Sequence, residues 1–237
     1  MNEVIQGLWI GAELSVMEQL SIASFLQNGH EYHLYIYDAV KNVPARAVIK
    51  DANEILPASR IFQYKHQASY AGFANFFRYK LLLERGGWWV DTDVICLKAF
   101  DFEDEYVFAT ETDGEREVVS SGVIKEPAGS EVMAYAWEVC EQRDPRELKW
   151  GETGPRLMTE AVGRFSLERF KKPYRYFNPL DYREWRRVLE PGEFYEDSYA
   201  VHLWNEMWRA AGQDRNATYD PNCLYEQLKS KYTKSTK

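Results

Sequence analysis

The sequence predicts a single α/β domain with a Rossmann-like parallel half and a mixed central sheet, and three observations carry that prediction. Two apolar runs, residues 4–10 and 32–37, flank a segment with a helix-capping signature. A long apolar-faced helical stretch closes on Gly86-Gly87 directly before another apolar run. Two later short runs, 106–111 and 118–125, are spaced to pair antiparallel. A chain of 237 residues with 45% hydrophobic content supplies one proper core of this kind.

In chain order, residues 4–10 read as the first strand, and Ser15 with Glu18 forms a capping box that opens a helix running toward Gly29. Residues 32–37 follow as the second strand, ending at Asp38. In a parallel sheet ligands gather at the carboxyl ends of strands, which marks Trp9, Gly11 and Asp38 as candidates. A helix is expected over 45–55, a short strand over 60–64 and a helix over 72–85. Residues 88–94 give the next strand, helices follow over 130–141 and 154–165, and residues 198–203 return as a late strand. No internal repeat or linker interrupts the chain.

The formal charge of -8 argues against a general polyanion binder, because nucleic-acid affinity rests on cationic neutralisation of phosphates, so no nucleic-acid partner is expected. Eight Trp, sixteen Tyr and twelve Phe suit sugar rings and nucleobases as well as a broad aromatic core. Cys96, Cys140 and Cys223 are too few and too far apart for a C-x-x-C metal site or a disulfide framework, which fits a reducing compartment. The N-terminus has no basic segment followed by a long apolar one, and no stretch approaches the roughly 20 apolar residues of a membrane span. The expected location is therefore the cytoplasm. Lys229, Lys231, Lys234 and Lys237 give residues 229–237 the character of a flexible basic tail, either merely solvated or in peripheral contact with an anionic inner membrane face.

Asp91 and Asp93 stand two apart at the end of an apolar run, and an extended backbone turns both carboxylates to one side. Two such charges repel unless a cation joins them. Mg²⁺ or Mn²⁺ takes carboxylate oxygens and also bridges a pyrophosphate, which points to a nucleotide-bearing substrate. Alone, two acids so spaced are weak evidence, because an exposed acidic pair on an edge strand is common.

The run from Asn75 to Asp93 holds Arg78-Tyr79, an apolar helix, Gly86-Gly87, Trp88-Trp89 and Asp91-Thr92-Asp93. It resembles the core block of the glycosyltransferases with a D-x-D sugar-binding region, which include bacterial capsule and lipooligosaccharide enzymes and yeast mannosyltransferases, and more distantly the glucosyltransferase domain of large clostridial toxins. Thr153-Gly154-Pro155 and Ala200-Val201-His202-Leu203-Trp204 are similar to two further segments of that family. The resemblance implies a GT-A fold, a nucleoside-diphosphate sugar donor, a carbohydrate or glycolipid acceptor, Mn²⁺ or Mg²⁺, and retention of anomeric configuration.

It also implies roles, residue by residue. Asp93 stands where the family's direct metal ligand stands, and Asp91 where an acid meets the ribose or the metal through water. Arg78 falls near the donor sugar or diphosphate. Asn75 occupies a position where the family commonly has Asp, which leaves a hydrogen-bonding amide in place of a carboxylate. His202 would be a late metal or diphosphate ligand, and Trp204 would pack beside the donor. By its own chemistry Trp9 suits stacking on the base, and as the end of an apolar strand it suits the core equally. From the residues themselves, Ser120, Ser121 and Gly122 precede an expected acceptor-side turn, for which an ordinary hairpin is an equal account, and Glu152, on that side, or Asp113 is a candidate base or nucleophile.

Two other functions fit parts of the pattern. Val90-Asp91-Thr92-Asp93-Val94 also suits the nucleophile of a haloacid-dehalogenase-like phosphatase, although some ninety residues precede it. Asn75 motivates a degenerate transferase that binds nucleotide sugar or glycan without turnover.

Overall fold

The computed structural model describes residues 4–233. In chain order the elements are β1 (Ile5–Trp9), α1 (Val16–Gln27), β2 (Tyr32–Ile36), β3 (Val48–Asp51), α2 (Ala71–Arg85), β4 (Gly87–Val90) and β5 (Val94–Cys96). They continue with β6 (Val107–Asp113), β7 (Arg116–Glu126), α3 (Glu131–Glu141), α4 (Leu157–Arg164), β8 (Lys171–Lys172), α5 (Tyr174–Phe177), β9 (Ala200–His202), α6 (Asn205–Ala210) and α7 (Leu224–Tyr232).

Seven strands form one mixed sheet in the order β3-β2-β1-β4-β7-β6-β8. The β3-β2-β1-β4 half is parallel, and β7 pairs antiparallel with both β4 and β6. The chain leaves β1 to build outward through β2 and β3, then returns to β1's other side as β4. That reversal opens a crevice at the carboxyl ends of β1 and β4, between Trp9 and Asp91. A parallel Rossmann-like half joined to an antiparallel extension is the GT-A-like arrangement that the resemblance implies.

The capping box forms as expected: the Ser15 N–H donates to Glu18 Oε2 at 2.7 Å and the Ser15 hydroxyl accepts from Met17 N. Helix α2 buries Phe73, Phe76, Phe77, Leu81 and Leu82 against the sheet and α3. It ends at Gly86, whose φ of +63° and close approach to Ala128 N leave no room for a Cβ. A smaller antiparallel pair, β5 with β9, sits beyond the crevice and ties the C-terminal part of the chain to the segment following Asp93.

Three local expectations need correction. Residues 45–55 are not a helix: Val48 and Ile49 pair with His33 and Leu34 as the sheet's edge, and only a 3-10 turn at Ala52–Glu54 follows. The unpaired edge of β2 overrode a weak helical pattern. Residues 60–64 form no strand, because Phe62 packs edge-on against Phe73 and Phe76 of α2 instead of joining a ladder. Residues 88–94 are not one strand. The chain breaks after Val90, turns through Thr92 and Asp93, and resumes as β5 in the other sheet.

The last helix also revises the C-terminus. Lys229 and Lys231, expected in a flexible tail, belong to α7, where Lys229 Nζ donates to Ala217 O at 3.0 Å. Lys234 and Lys237 lie outside the described residues. Among the described residues no helix is long and apolar enough to cross a membrane.

Candidate active site

The break after Val90 sets the geometry of the acidic pair. Asp91 N donates to Gly122 O at 2.8 Å and Val94 N donates back to Asp91 O at 3.1 Å. The two carboxylates therefore converge across a tight turn, not along one face of a strand. His202 joins them from β9, whose register places it opposite Val94. Ligand atoms of Asp91, Asp93 and His202 all lie within 4.8 Å of one another.

Each member is held by a separate part of the chain. Asp91 meets Arg78 Nη2 at 3.0 Å and accepts from Trp89 Nε1 at 2.9 Å. Asp93 accepts from Asn205 N at 2.8 Å, and its backbone carbonyl accepts from Leu203 N at 2.9 Å. That wrap requires a reversal at Trp204, which takes a left-handed conformation with φ of 58°. Such a backbone is strained for a tryptophan. The indole is fixed in compensation, donating to Leu180 O at 2.8 Å and stacking on the His202 ring at 3.9 Å.

Electrostatics separate the two acids. Burial pushes the Asp91 carboxyl above its ordinary range; Arg78 opposes this and the Asp93 charge adds to it. For Asp93 burial acts upward too, but the His202 charge and the hydrogen bonds from His202 and Asn205 outweigh it and hold the carboxyl low. Burial alone would lower the His202 imidazole, yet the facing Asp93 carboxylate raises it. A proton on Nε2, or a cation in its place, is what this cluster of negative charge calls for. Two carboxylates and an imidazole fit a divalent ion of the Mn²⁺ or Mg²⁺ type, the nitrogen favouring Mn²⁺.

The third contribution comes from a large bulge in β7. Phe108 pairs with Ile124 and Thr110 with Val119, so Ser120, Ser121, Gly122 and Val123 stand opposite Ala109 alone. No turn follows directly after Gly122 as expected; these residues form a bulge inside one long strand. It carries the Ser121 carbonyl onto Arg78 Nη1 and presses Gly122 against Asp91 and His202.

These residues line a cleft of about 260 Å³, together with Asn75, Glu111, Trp150, Tyr182 and Trp204. A second cleft of about 270 Å³ shares Arg78, Asp91, Asp93 and Asn205 with it, and extends toward Trp9, Arg209 and Arg215. Arg78 differs from expectation. Its side chain is only 3% exposed, and its donors reach Ala74 O, Ser121 O and Asp91. It braces the acidic turn while still lining both clefts. Asn75 does face the cleft, its amide 3.3 Å from Thr153 Oγ1.

Gly11 and Asp38 are exposed and line neither cleft. For Asp38 the reason is that β2 ends on the far side of β1, one strand away from the reversal. Glu152 also lines neither: its carboxylate accepts from Lys149 N at 3.1 Å and lies 3.6 Å from Arg143. Four residues that sequence reasoning missed belong here. Glu111 lines the first cleft, where burial raises its carboxyl against a hydrogen bond from Ser120. Asn178 holds His202 Nδ1 at 3.2 Å, Asn205 caps Asp93, and Arg215 bridges Asn205 Oδ1 at 2.7 Å and Glu18 at 3.0 Å. A lone strand acid and an Asn-Pro turn were the only local signals, and neither discloses its partner.

A mixed sheet with a switch-point crevice, converging acids and aromatic walls is the build of a nucleotide-sugar glycosyltransferase. Residues 15–111 match the glycosyltransferase sugar-binding region containing DXD motif, and residues 144–236 match the alpha 1,4-glycosyltransferase conserved region. These two regions take in most of the chain, with Asp91 and Asp93 in the first and His202 in the second, and both mark it as a glycosyltransferase. It is similar to a human alpha-1,4-N-acetylglucosaminyltransferase, with 26% identity over 212 residues covering 78% of this chain and 59% of that protein. The chain thus spans about three-fifths of the length of that relative. Among solved structures, PaToxG glycosyltransferase is similar over 69% of both chains at 16% identity and a TM-score of 0.49. The apo-form glycosyltransferase GlyE of Streptococcus pneumoniae TIGR4 is similar over 74% of this chain and 46% of that one, at 13% identity and a TM-score of 0.41. The family match sets aside the phosphatase alternative.

Proposed function

We propose that this protein transfers a hexosyl or N-acetylhexosaminyl group from a nucleoside-diphosphate sugar to a hydroxyl of a carbohydrate or glycolipid acceptor, with retention of configuration and with Mn²⁺ or Mg²⁺ as cofactor. The observation that carries this reading is the convergence of Asp91, Asp93 and His202 at the junction of two clefts. Asp93 and His202 would hold the cation, and Asp91 would hold it directly or through water. When bound, the cation neutralises the leaving diphosphate.

The chain's own residues set the direction of transfer. The second cleft offers the Trp9 ring and the Arg209 and Arg215 guanidinium groups, the chemistry that suits a nucleoside and its diphosphate. The first cleft offers Asn75, Ser121 and Glu111, which suit sugar hydroxyls. The donor sugar then lies at the junction and the acceptor enters from the first cleft. In a front-face transfer the departing phosphate oxygen takes the acceptor proton, so no enzymic base is needed. An alpha-linked product, as the relative's name describes, made from an alpha-linked donor is a retained one. Three buried, free cysteines support a reducing, cytoplasmic setting.

A melting-shift screen of nucleoside diphosphates and their sugars, with Mn²⁺ and with chelator, tests the reading. A Mn²⁺-dependent rise in melting temperature with one nucleotide class is expected, and Asp93→Ala should abolish it. Equal nucleotide affinity with and without metal would refute the metal assignment, and an inverted product would refute retention. A ligand that binds but is never turned over would favour a degenerate transferase, for which Asn75 is the sequence motive.

A further inference from the structure

We propose that Trp150, backed by Tyr64, forms a stacking platform for a sugar ring of the acceptor at the mouth of the first cleft. The inference rests on the donor and acceptor ends assigned above.

Trp150 is 48% exposed, and among the described residues no other tryptophan is comparably open. Leaving so large an apolar ring in water is unfavourable, and here the ring lines the cleft that holds the acidic pair. It belongs to the first cleft and not to the second, so it lies on the side away from Trp9, Arg209 and Arg215. Its ring rests against Tyr64 with centroids 5.1 Å apart. Tyr64 is itself buried, and its hydroxyl is engaged by Thr153 and Gly151 of the loop that carries Trp150.

That loop is built to hold its shape. Lys149 N donates to Glu152 Oε2 at 3.1 Å, Glu152 N donates to Lys149 O at 3.1 Å, and Gly151 takes a left-handed φ of 73° between them. Glu152, expected to act on the acceptor directly, instead fixes the backbone on which Trp150 is presented. A rigid aromatic face loses little entropy on binding, which is what a stacking site requires.

The occupant follows from what surrounds the ring. A pyranose offers one apolar C–H face and a rim of hydroxyls. Trp150 meets the first need, and Asn75, Ser121 and Glu111 deeper in the same cleft meet the second. A lipid chain would leave those three polar groups facing hydrocarbon. The platform therefore selects an acceptor that ends in sugar over a simple alcohol.

The test uses the full chain with Mn²⁺ and either UDP or GDP. Maltose, lactose and N,N′-diacetylchitobiose are titrated by calorimetry, with 1-octanol as the non-sugar alcohol. Wild type should bind at least one disaccharide and ignore octanol. Trp150→Ala should bind that disaccharide about tenfold more weakly, the loss of one good stacking contact, and Trp150→Phe should fall between. Nucleotide affinity and melting temperature should stay at the wild-type values. Equal disaccharide affinity in wild type and Trp150→Ala, binding of no disaccharide by either, or preference for octanol would overturn the platform. A nucleotide affinity that falls in step with the disaccharide would move Trp150 to the donor side and overturn it as well. Failure of the wild type to bind any nucleotide would instead overturn the functional reading, and the platform with it.

Discussion

His202 Nδ1 lies 3.2 Å from Asn178 Oδ1, and this contact decides which face of the imidazole meets the acidic pair. The Asn178 amide is itself oriented, because its Nδ2 donates to Thr110 O at 2.7 Å. The oxygen must then face the ring, so Nδ1 carries a proton and Nε2 is turned toward Asp93, 3.2 Å away. Outer groups of this kind commonly set the affinity of a metal site. Asn178→Ala should lower Mn²⁺-supported nucleotide affinity by about 10- to 100-fold. Calorimetry at fixed Mn²⁺ measures it, and an unchanged Mn²⁺ dependence would show that His202 does not rely on Asn178.

Arg78 serves three acceptors at once: Asp91, the Ser121 carbonyl and the Ala74 carbonyl. An ammonium keeps the charge but cannot fork to all three. Arg78→Lys should therefore lower both turnover and stability, the latter by about 1–3 kcal/mol for buried acceptors left unmet. A variant with full stability and only a raised donor KM would return Arg78 to the donor contact that its sequence position suggests.

Gly122 leaves bare backbone where the β7 bulge crosses the acidic turn. A Cβ there would stand 3.3 Å from both Asp91 Oδ2 and His202 Cε1, tighter than ordinary contact. Gly122→Ala should shift those two groups by a few tenths of an ångström and cost about tenfold in turnover, with little change in melting temperature. Wild-type turnover in the variant would mean that the cluster tolerates looser geometry than the fold imposes.

The parts of this site legible in the sequence are those that local chemistry encodes. The apolar face of α2, the Gly86-Gly87 stop and the Ser15 capping box each follow from neighbours a few residues apart, and all three form. Asp91 and Asp93 were found for an imperfect reason, since a turn and not strand alternation brings their carboxylates together. Edge pairing of Val48 and Ile49, the bulge opposite Ala109 and the Asn178 contact depend on chain that is distant in sequence. No window of ten residues contains both sides of any of them. Asp38 illustrates the converse: its place at a strand end was read correctly, but its strand lies one position away from the reversal that makes the crevice.

Glu126 provides a test of the fold that is independent of catalysis. It closes β7 opposite Gly87 and is 2% exposed. Burial pushes its carboxyl from an ordinary 4.5 up to about 8, the nearby Ser130 hydroxyl opposing and the Glu105 charge adding. The folded chain thus keeps a proton that the unfolded chain has lost between those two values. Stability from this group is fully present below pH 4.5, declines as pH rises toward 8, and stays low above it. Glu126→Gln remains neutral throughout and should not show that decline. Urea unfolding midpoints of the two proteins should converge near pH 5 and separate by pH 9, with the variant the more stable. Parallel midpoints across that range would mean that the buried carboxyl does not carry its proton in the folded state.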